Sequence, residues 1–272
     1  MRFRIVDTFL ITSLLGRKYY KLRTLTLWQR IKPAVETELT EELQRIIIGP
    51  TPKEVIYVLD TGIAERDIGP QALAATGLTD TSRAVIYLLP RRGINLGTLL
   101  HEYVHFLVSP QLSRLVPQIS KNLYSLLHDY YSGNYTERDV EDSLRANITY
   151  LDECFAYLAE FDFVGSVGRE NPLDMYYLHV DYLSRALARD LSILPIPGTV
   201  RQLVDTTIKH TYMQHIRPLL DKSINHARFV AYYSRGTTIL STIADMANAT
   251  IVGNDDLAAF QFAKKLFQLV IA

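Results

Sequence analysis

Polar and apolar residues change their rhythm along this chain, and each change marks a different kind of element. Over residues 25–48 apolar positions recur at helical spacing, and "IIIGPTP" then ends that helix with glycine and proline. Two short runs, "KEVIYVLD" (53–60) and "RAVIYLLP" (83–90), are β-branched and aromatic and bounded by turn residues. Each is expected to form a strand. The segment between them, rich in Gly, Thr, Asp and Ala, is expected to be a loop. After "PRRGIN" the pattern turns helical and remains so to the C-terminus.

Within that helical part, Thr136 and Asp139 in "TERD" form a capping-box pattern that opens a helix running to Phe161. Its apolar positions Val140, Leu144, Ile148, Leu151, Phe155 and Leu158 step by three or four, a single stripe. A helix over 113–131 precedes it, and others are expected over 172–191, 199–233 and 255 to the end. "LPIPG" (194–198) reads as a turn between helices rather than a domain linker, and no repeat is evident.

Composition narrows the function classes. The 272 residues suffice for one large domain or two small ones, and 48% of them are apolar, which suits a sizeable core. With 29 basic and 29 acidic residues the formal charge is zero, so nothing electrostatic argues for a nucleic-acid partner or an anionic membrane. The single cysteine, Cys154, excludes an internal disulfide and reads as a small buried residue.

The N-terminal "MRFRIVDTFLITSLLG" loosely imitates a signal peptide, but Asp7 interrupts it and "GRKYYKLR" stands where a cleavage site belongs. It is also shorter than the ~20 apolar residues that span a bilayer. An ordinary N-terminal helix or strand of a cytoplasmic protein is expected, with export through this run as the alternative. No other stretch has the character of a membrane span.

The chemistry concentrates in "TLLHEYVHFL", where His101, Glu102 and His105 interrupt an uncharged helix. Residues four apart share a helix face, so the two histidines can bind one cation from the same side. Glu102 can then face a water held by that cation without ligating it. Two imidazoles, an open position and a neighbouring base are what a catalytic zinc requires. The competing reading is a buried helix with two hydrogen-bonded histidines. Burying two imidazoles and a carboxylate without metal or partners is costly, so that reading needs partners of its own.

A catalytic zinc usually takes three protein ligands. The extension H-E-x-x-H-x-x-G-x-x-H fails, because Val108 and Gln111 stand at its glycine and last histidine. The third ligand is therefore distant, from among His128, Glu153, Glu160, His179, His210, His215 and His226. Glu153 lies off the apolar stripe of its helix, on a face with Tyr150, Tyr157 and Glu160. Periodicity fits equally a helix packed on two sides and a pair of solvated acids.

Residues 77–107, "GLTDTSRAVIYLLPRRGINLGTLLHEYVHFL", resemble the catalytic half of gluzincin metalloproteases, small peptidase-MA-like members in particular. Those place an edge strand before the H-E-x-x-H helix and take a third ligand from a helix, commonly within E-G-F-A. Here "ECFA" (153–156) matches with Cys154 for glycine. The resemblance spans about 80 of the 272 residues. It implies His101, His105 and Glu153 as zinc ligands and Glu102 as general base. Two departures stand out. The segment from His105 to Glu153 is long, and Tyr157 occupies a position often acidic in thermolysin-like enzymes, so the carboxylate that would hydrogen-bond a ligand from behind is missing or supplied elsewhere.

The implied fold is α+β and mostly helical, zincin-like, with a small mixed sheet followed by a helical C-terminal half. It would form a single domain, with 1–108 carrying the H-E-x-x-H helix and 109–272 the third ligand. The implied activity is zinc-dependent hydrolysis of a peptide or protein substrate, with the strand at 83–89 pairing an extended substrate. Tyr157, His215 and His226 are candidates to stabilise the oxyanion. Two alternatives remain: a zinc-binding, non-proteolytic regulatory module whose helical half binds a partner, and a structural helical protein with a chance motif.

Overall fold

The computed structural model describes residues 1–16, 19–59, 66, 75–89, 95–131, 133–165, 171–193 and 198–271. The structure is mostly helical with one small mixed sheet. The chain divides into two compact units, Met1–Glu102 with Ser223–Ala272, and Tyr103–Lys222.

The first unit contains the sheet, of order β1-β2-β4-β3: β1 (Arg2–Val6), β2 (Glu54–Val58), β3 (Gly77–Asp80) and β4 (Val85–Leu88). β1, β2 and β4 run parallel, and β3 returns antiparallel to β4 with Gly77 opposite Leu88 and Thr79 opposite Ile86. Parallel β2 is buried almost throughout, as its unbroken apolar run requires. β1 instead alternates, with Phe3 and Ile5 inward. The β3–β4 turn is shaped by Asp80, whose Oδ1 accepts from Ser82 Oγ at 2.6 Å and Arg83 N at 3.0 Å.

The N-terminal run, expected as a helix or a strand, is a strand followed by helix α1 (Thr8–Leu14). One strand differs from expectation. β3 lies in the stretch read as a loop, because the Gly and Asp that bound its four residues are disfavoured in strands and the pairing with β4 makes the strand. The strand expected at the edge, β4, is therefore bonded on both sides, and β3 is the edge. Residues 60–65 and 67–74 of that expected loop lie outside the described residues.

Asp7, which interrupts the apolar N-terminal run, is buried and doubly bonded. Trp28 Nε1 donates to its Oδ2 at 2.7 Å and Lys32 Nζ to its Oδ1 at 2.8 Å. Both partners lie on α2 (Tyr19–Ile46), whose buried stripe Leu25, Trp28, Ile31, Val35, Leu39, Leu43 and Ile46 packs in the core. The unit is completed by α10 (His226–Ile251) and α11 (Asp256–Val270). Tyr57 of β2 donates to the carbonyl of Leu240 at 3.1 Å, tying the sheet to α10.

α3 (Leu96–Val108) carries "TLLHEYVHFL" and leads into the second unit. There follow a 3-10 turn (Ser109–Gln111), α4 (Leu112–Tyr130), α5 (Glu137–Ala146), α6 (Ile148–Val164), α7 (Pro172–Asp190) and α8 (Thr199–Thr211). A π-turn (Tyr212–Ile216) connects α8 to α9 (Arg217–Ser223).

The expected 136–161 helix is two helices. The capping box of Thr136 and Asp139 is present, but Asn147 leaves helical geometry at φ −115° and ψ 25°. Its side chain donates to the Ser143 carbonyl at 2.8 Å, the local competition that makes Asn a helix-terminating residue. The expected 199–233 helix is also interrupted. Ile224 pairs with Ile47 in an isolated β-bridge, and Asn225 caps α10 by accepting from Arg228 N. The turn expected at 194–198 lies outside the described residues except for Gly198, which at φ 86° precedes α8. Among the described residues no helix is long and apolar enough to cross a membrane.

Candidate metal centre

Uniform apolarity buries most of α3: Leu99, Leu100, Tyr103, Val104, Leu107 and Val108 are all in the core. His101 and Glu102 are drawn in with them, at 8% and 5% exposure, so neither lies on a wet face. His105, one turn on from His101, is half-buried.

α6 meets His105 with two consecutive carboxylates. Glu153 Oε1 lies 3.8 Å from His105 Nε2, and Asp152 Oδ2 lies 3.0 Å from His105 Nδ1. Ser109 Oγ donates to the same Asp152 oxygen at 2.6 Å. An Asp152 carboxylate beside Nδ1 favours the tautomer protonated there, which leaves the Nε2 lone pair directed towards Glu153.

One donor atom each from His101, His105 and Glu153 lies within 4.8 Å of the others, the one such grouping of three among the described residues. Two donors of a tetrahedral zinc at ordinary bond lengths are about 3.4 Å apart. The 3.8 Å between His105 Nε2 and Glu153 Oε1 is near that separation. The donor set, two imidazoles and one carboxylate, suits zinc, so these residues fit the metal that the motif implies. The three residues could therefore hold a metal ion.

Glu102 is held by the edge strand. Thr79 Oγ1 lies 2.8 Å from Glu102 Oε2 and 2.8 Å from its carbonyl oxygen, so its single proton serves either or both. Gly77, two residues earlier on the same face of β3, is tightly opposed. A Cβ there would come within 2.5 Å of Glu102 Cγ and 2.6 Å of Oε1. Absence of a side chain at 77 is what gives the carboxylate its place.

Tyr157 lies one turn beyond Glu153 on α6 and stacks on His179 of α7, with ring centroids 5.4 Å apart. Tyr150, one turn before Glu153, also meets His179, at 6.2 Å, and Tyr182 at 5.5 Å. Aromatic rings thus flank the glutamate along its helix. His179 Nδ1 is 2.8 Å from the Met175 carbonyl, and His128 stacks on Tyr124 in α4. His210 lies in the last turn of α8, His215 sits in the π-turn and His226 opens α10. None of these histidines, nor Glu160, belongs to the three-residue group. Cys154 is buried beneath Glu153, and burial pushes its thiol far above the ordinary range, which makes it an inert packing residue.

Sequence reading missed Asp152, Thr79 and Gly77. Asp152 adjoins the chosen ligand, yet helical periodicity puts neighbours on different faces, and only the proximity of His105 gives it a role. Thr79 and Gly77 lie in a segment without strand character, and no local signal pairs them with Glu102. Compared with protein-family models, with curated proteins and with solved structures, the chain matches none.

Proposed function

We propose that this chain is a zinc-dependent metallopeptidase of the zincin-like, gluzincin type. The observation that carries the reading is the convergence of His101, His105 and Glu153 within 4.8 Å, with Glu102 adjacent to the first. Zinc, when bound, supplies Lewis acidity that acidifies a water and polarises a carbonyl. Glu102 takes the proton of the attacking water and returns it to the departing amine. Thr79 and Gly77 hold that carboxylate in position, and Asp152 orients His105. Tyr157 donates to the oxygen on which negative charge develops. β3, at the end of the strand order, is the strand along which an extended peptide pairs.

Replacement of Glu102 by Gln tests the reading. The variant is expected to bind one zinc per chain, measured by elemental analysis, and to lose hydrolysis of a mixed peptide library by at least a hundredfold. Hydrolysis at the wild-type rate in Glu102→Gln would remove Glu102 as base. Stoichiometric zinc with no hydrolysis by the wild-type protein would favour the non-proteolytic zinc module.

A further inference from the structure

The first unit holds a second feature of chemical interest, remote in sequence from the H-E-x-x-H helix and independent of the proposed hydrolysis. A cavity of about 650 Å³ opens between α2 and α11. Tyr19, Leu22 and Leu27 of α2 and Phe260 and Phe267 of α11 form apolar walls, and Arg23 and Lys264 bring two cations to it. That volume lies within the range of small-molecule sites, which are largely apolar with a few polar anchors.

The α2 side is not part of the helix's buried stripe. Tyr19 and Leu22 are 64% and 50% exposed, one turn apart on the same face as Arg23, Thr26 and Leu27. Isolated exposed apolar residues are ordinary, but here they line a concavity with Phe260 and Phe267 opposite.

Arg23 is held by aromatic rings, with no carboxylate partner among the described residues. Its guanidinium lies over Tyr19 at 5.2 Å and over Phe260 at 4.8 Å, and Nη1 donates to Tyr19 Oη at 3.0 Å. A guanidinium carries five N–H donors, and this contact uses one. Asp256, the acid at the start of α11, is engaged by Lys21 at 3.7 Å. Among the described residues no carboxylate forms an ion pair with Arg23 or Lys264. Two cations beside an apolar cavity, one of them held by stacking, complement a ligand with an apolar body and an anionic end.

We propose that this cavity binds a single-chain anionic amphiphile, a long-chain fatty acid in class. The acyl chain lies between α2 and α11 against Leu22, Leu27, Phe260 and Phe267, and the carboxylate meets Arg23 and Lys264. An amphipathic alcohol lacks the anionic end and a cationic surfactant is repelled.

Calorimetric titration of the full chain with dodecanoate below its micellar concentration tests this, with 1-dodecanol and dodecyltrimethylammonium as comparisons. Saturable binding of one dodecanoate, at least tenfold tighter than dodecanol, is expected. The double variant R23Q/K264Q alters exposed positions and is expected to melt like wild type while binding dodecanoate at least tenfold more weakly. Leu27→Trp fills the cavity and is expected to abolish saturable binding. Equal affinity for dodecanol, unchanged binding by R23Q/K264Q, or no saturable binding would each overturn the proposal. So would binding to phosphatidylglycerol vesicles without binding of monomeric dodecanoate, which would make the face a membrane contact. A concentration-dependent dimer that dodecanoate does not dissociate would assign the groove to a second copy and overturn it as well.

Discussion

Asp152 Oδ2 lies 3.0 Å from His105 Nδ1, opposite the ring nitrogen that faces Glu153 at 3.8 Å. One histidine is thus gripped by two consecutive acids of one helix, each on a different nitrogen. Carboxylates behind ligating histidines fix ring orientation and raise basicity, and their loss typically costs ~10–100-fold in metal affinity. Asp152→Ala is expected to weaken zinc binding by about that factor, read by competition with a chromophoric chelator. Unaltered affinity would show that the ring is oriented without Asp152.

Zinc binding should appear as stability, because the group is assembled only in the folded chain. Free zinc at 100 times its dissociation constant is expected to add about 2.7 kcal/mol, seen as a raised Tm that a chelator reverses. His105→Ala and Glu153→Ala should remove the zinc-dependent increment. An increment that survives in Glu153→Ala would take that residue out of the ligand set.

Gly77 opposes Glu102 closely enough that any side chain must displace it. Gly77→Ala is expected to retain zinc, to lose about 1–3 kcal/mol of stability in urea unfolding, and to reduce the proposed hydrolysis on the order of 10²-fold by moving the proposed base. Thr79→Val removes the hydroxyl that holds Glu102 and should lower hydrolysis with zinc affinity unchanged. A Gly77→Ala protein of wild-type stability and rate would mean that Glu102 relaxes without consequence.

Arg228 pairs with Glu42 through two bonds, Nη2 to Oε1 at 2.7 Å and Nε to Oε2 at 3.0 Å, and so joins α10 to α2. These bonds, opposed by burial and aided by Arg45, hold the Glu42 carboxyl below its ordinary 4.5. A depressed acid stabilises the fold above its unfolded pKa, and the contribution is lost as pH falls through the folded value. Unfolding free energy is therefore expected to decline as pH drops below about 4.5, and Arg228→Gln should make that decline shallower. Identical pH profiles for the two proteins would deny the pair a role.

The helices of this chain were legible wherever burial on one face imposes a 3.6-residue rhythm. α4 and α7 match the expected spans to within a residue, and α2 begins six residues ahead of its own. Helix ends were less legible. Asn147 and Asn225 stop helices through hydrogen bonds to particular backbone atoms, while the apolar rhythm continues across both. β3 escaped notice for a related reason, since its strand character comes from β4 rather than from its own residues.

For the candidate centre, sequence alone determined that His101 and His105 share a helix face with Glu102 beside them, because one turn of helix requires it. It also determined that their helix would be buried, because its flanks carry no charge. Only the tertiary structure could bring Glu153 to His105, turn Asp152 towards the other ring nitrogen and lay Gly77 and Thr79 against Glu102. These contacts join residues 23 to 48 positions apart, and such proximity arises from packing of separate elements, which local periodicity does not encode.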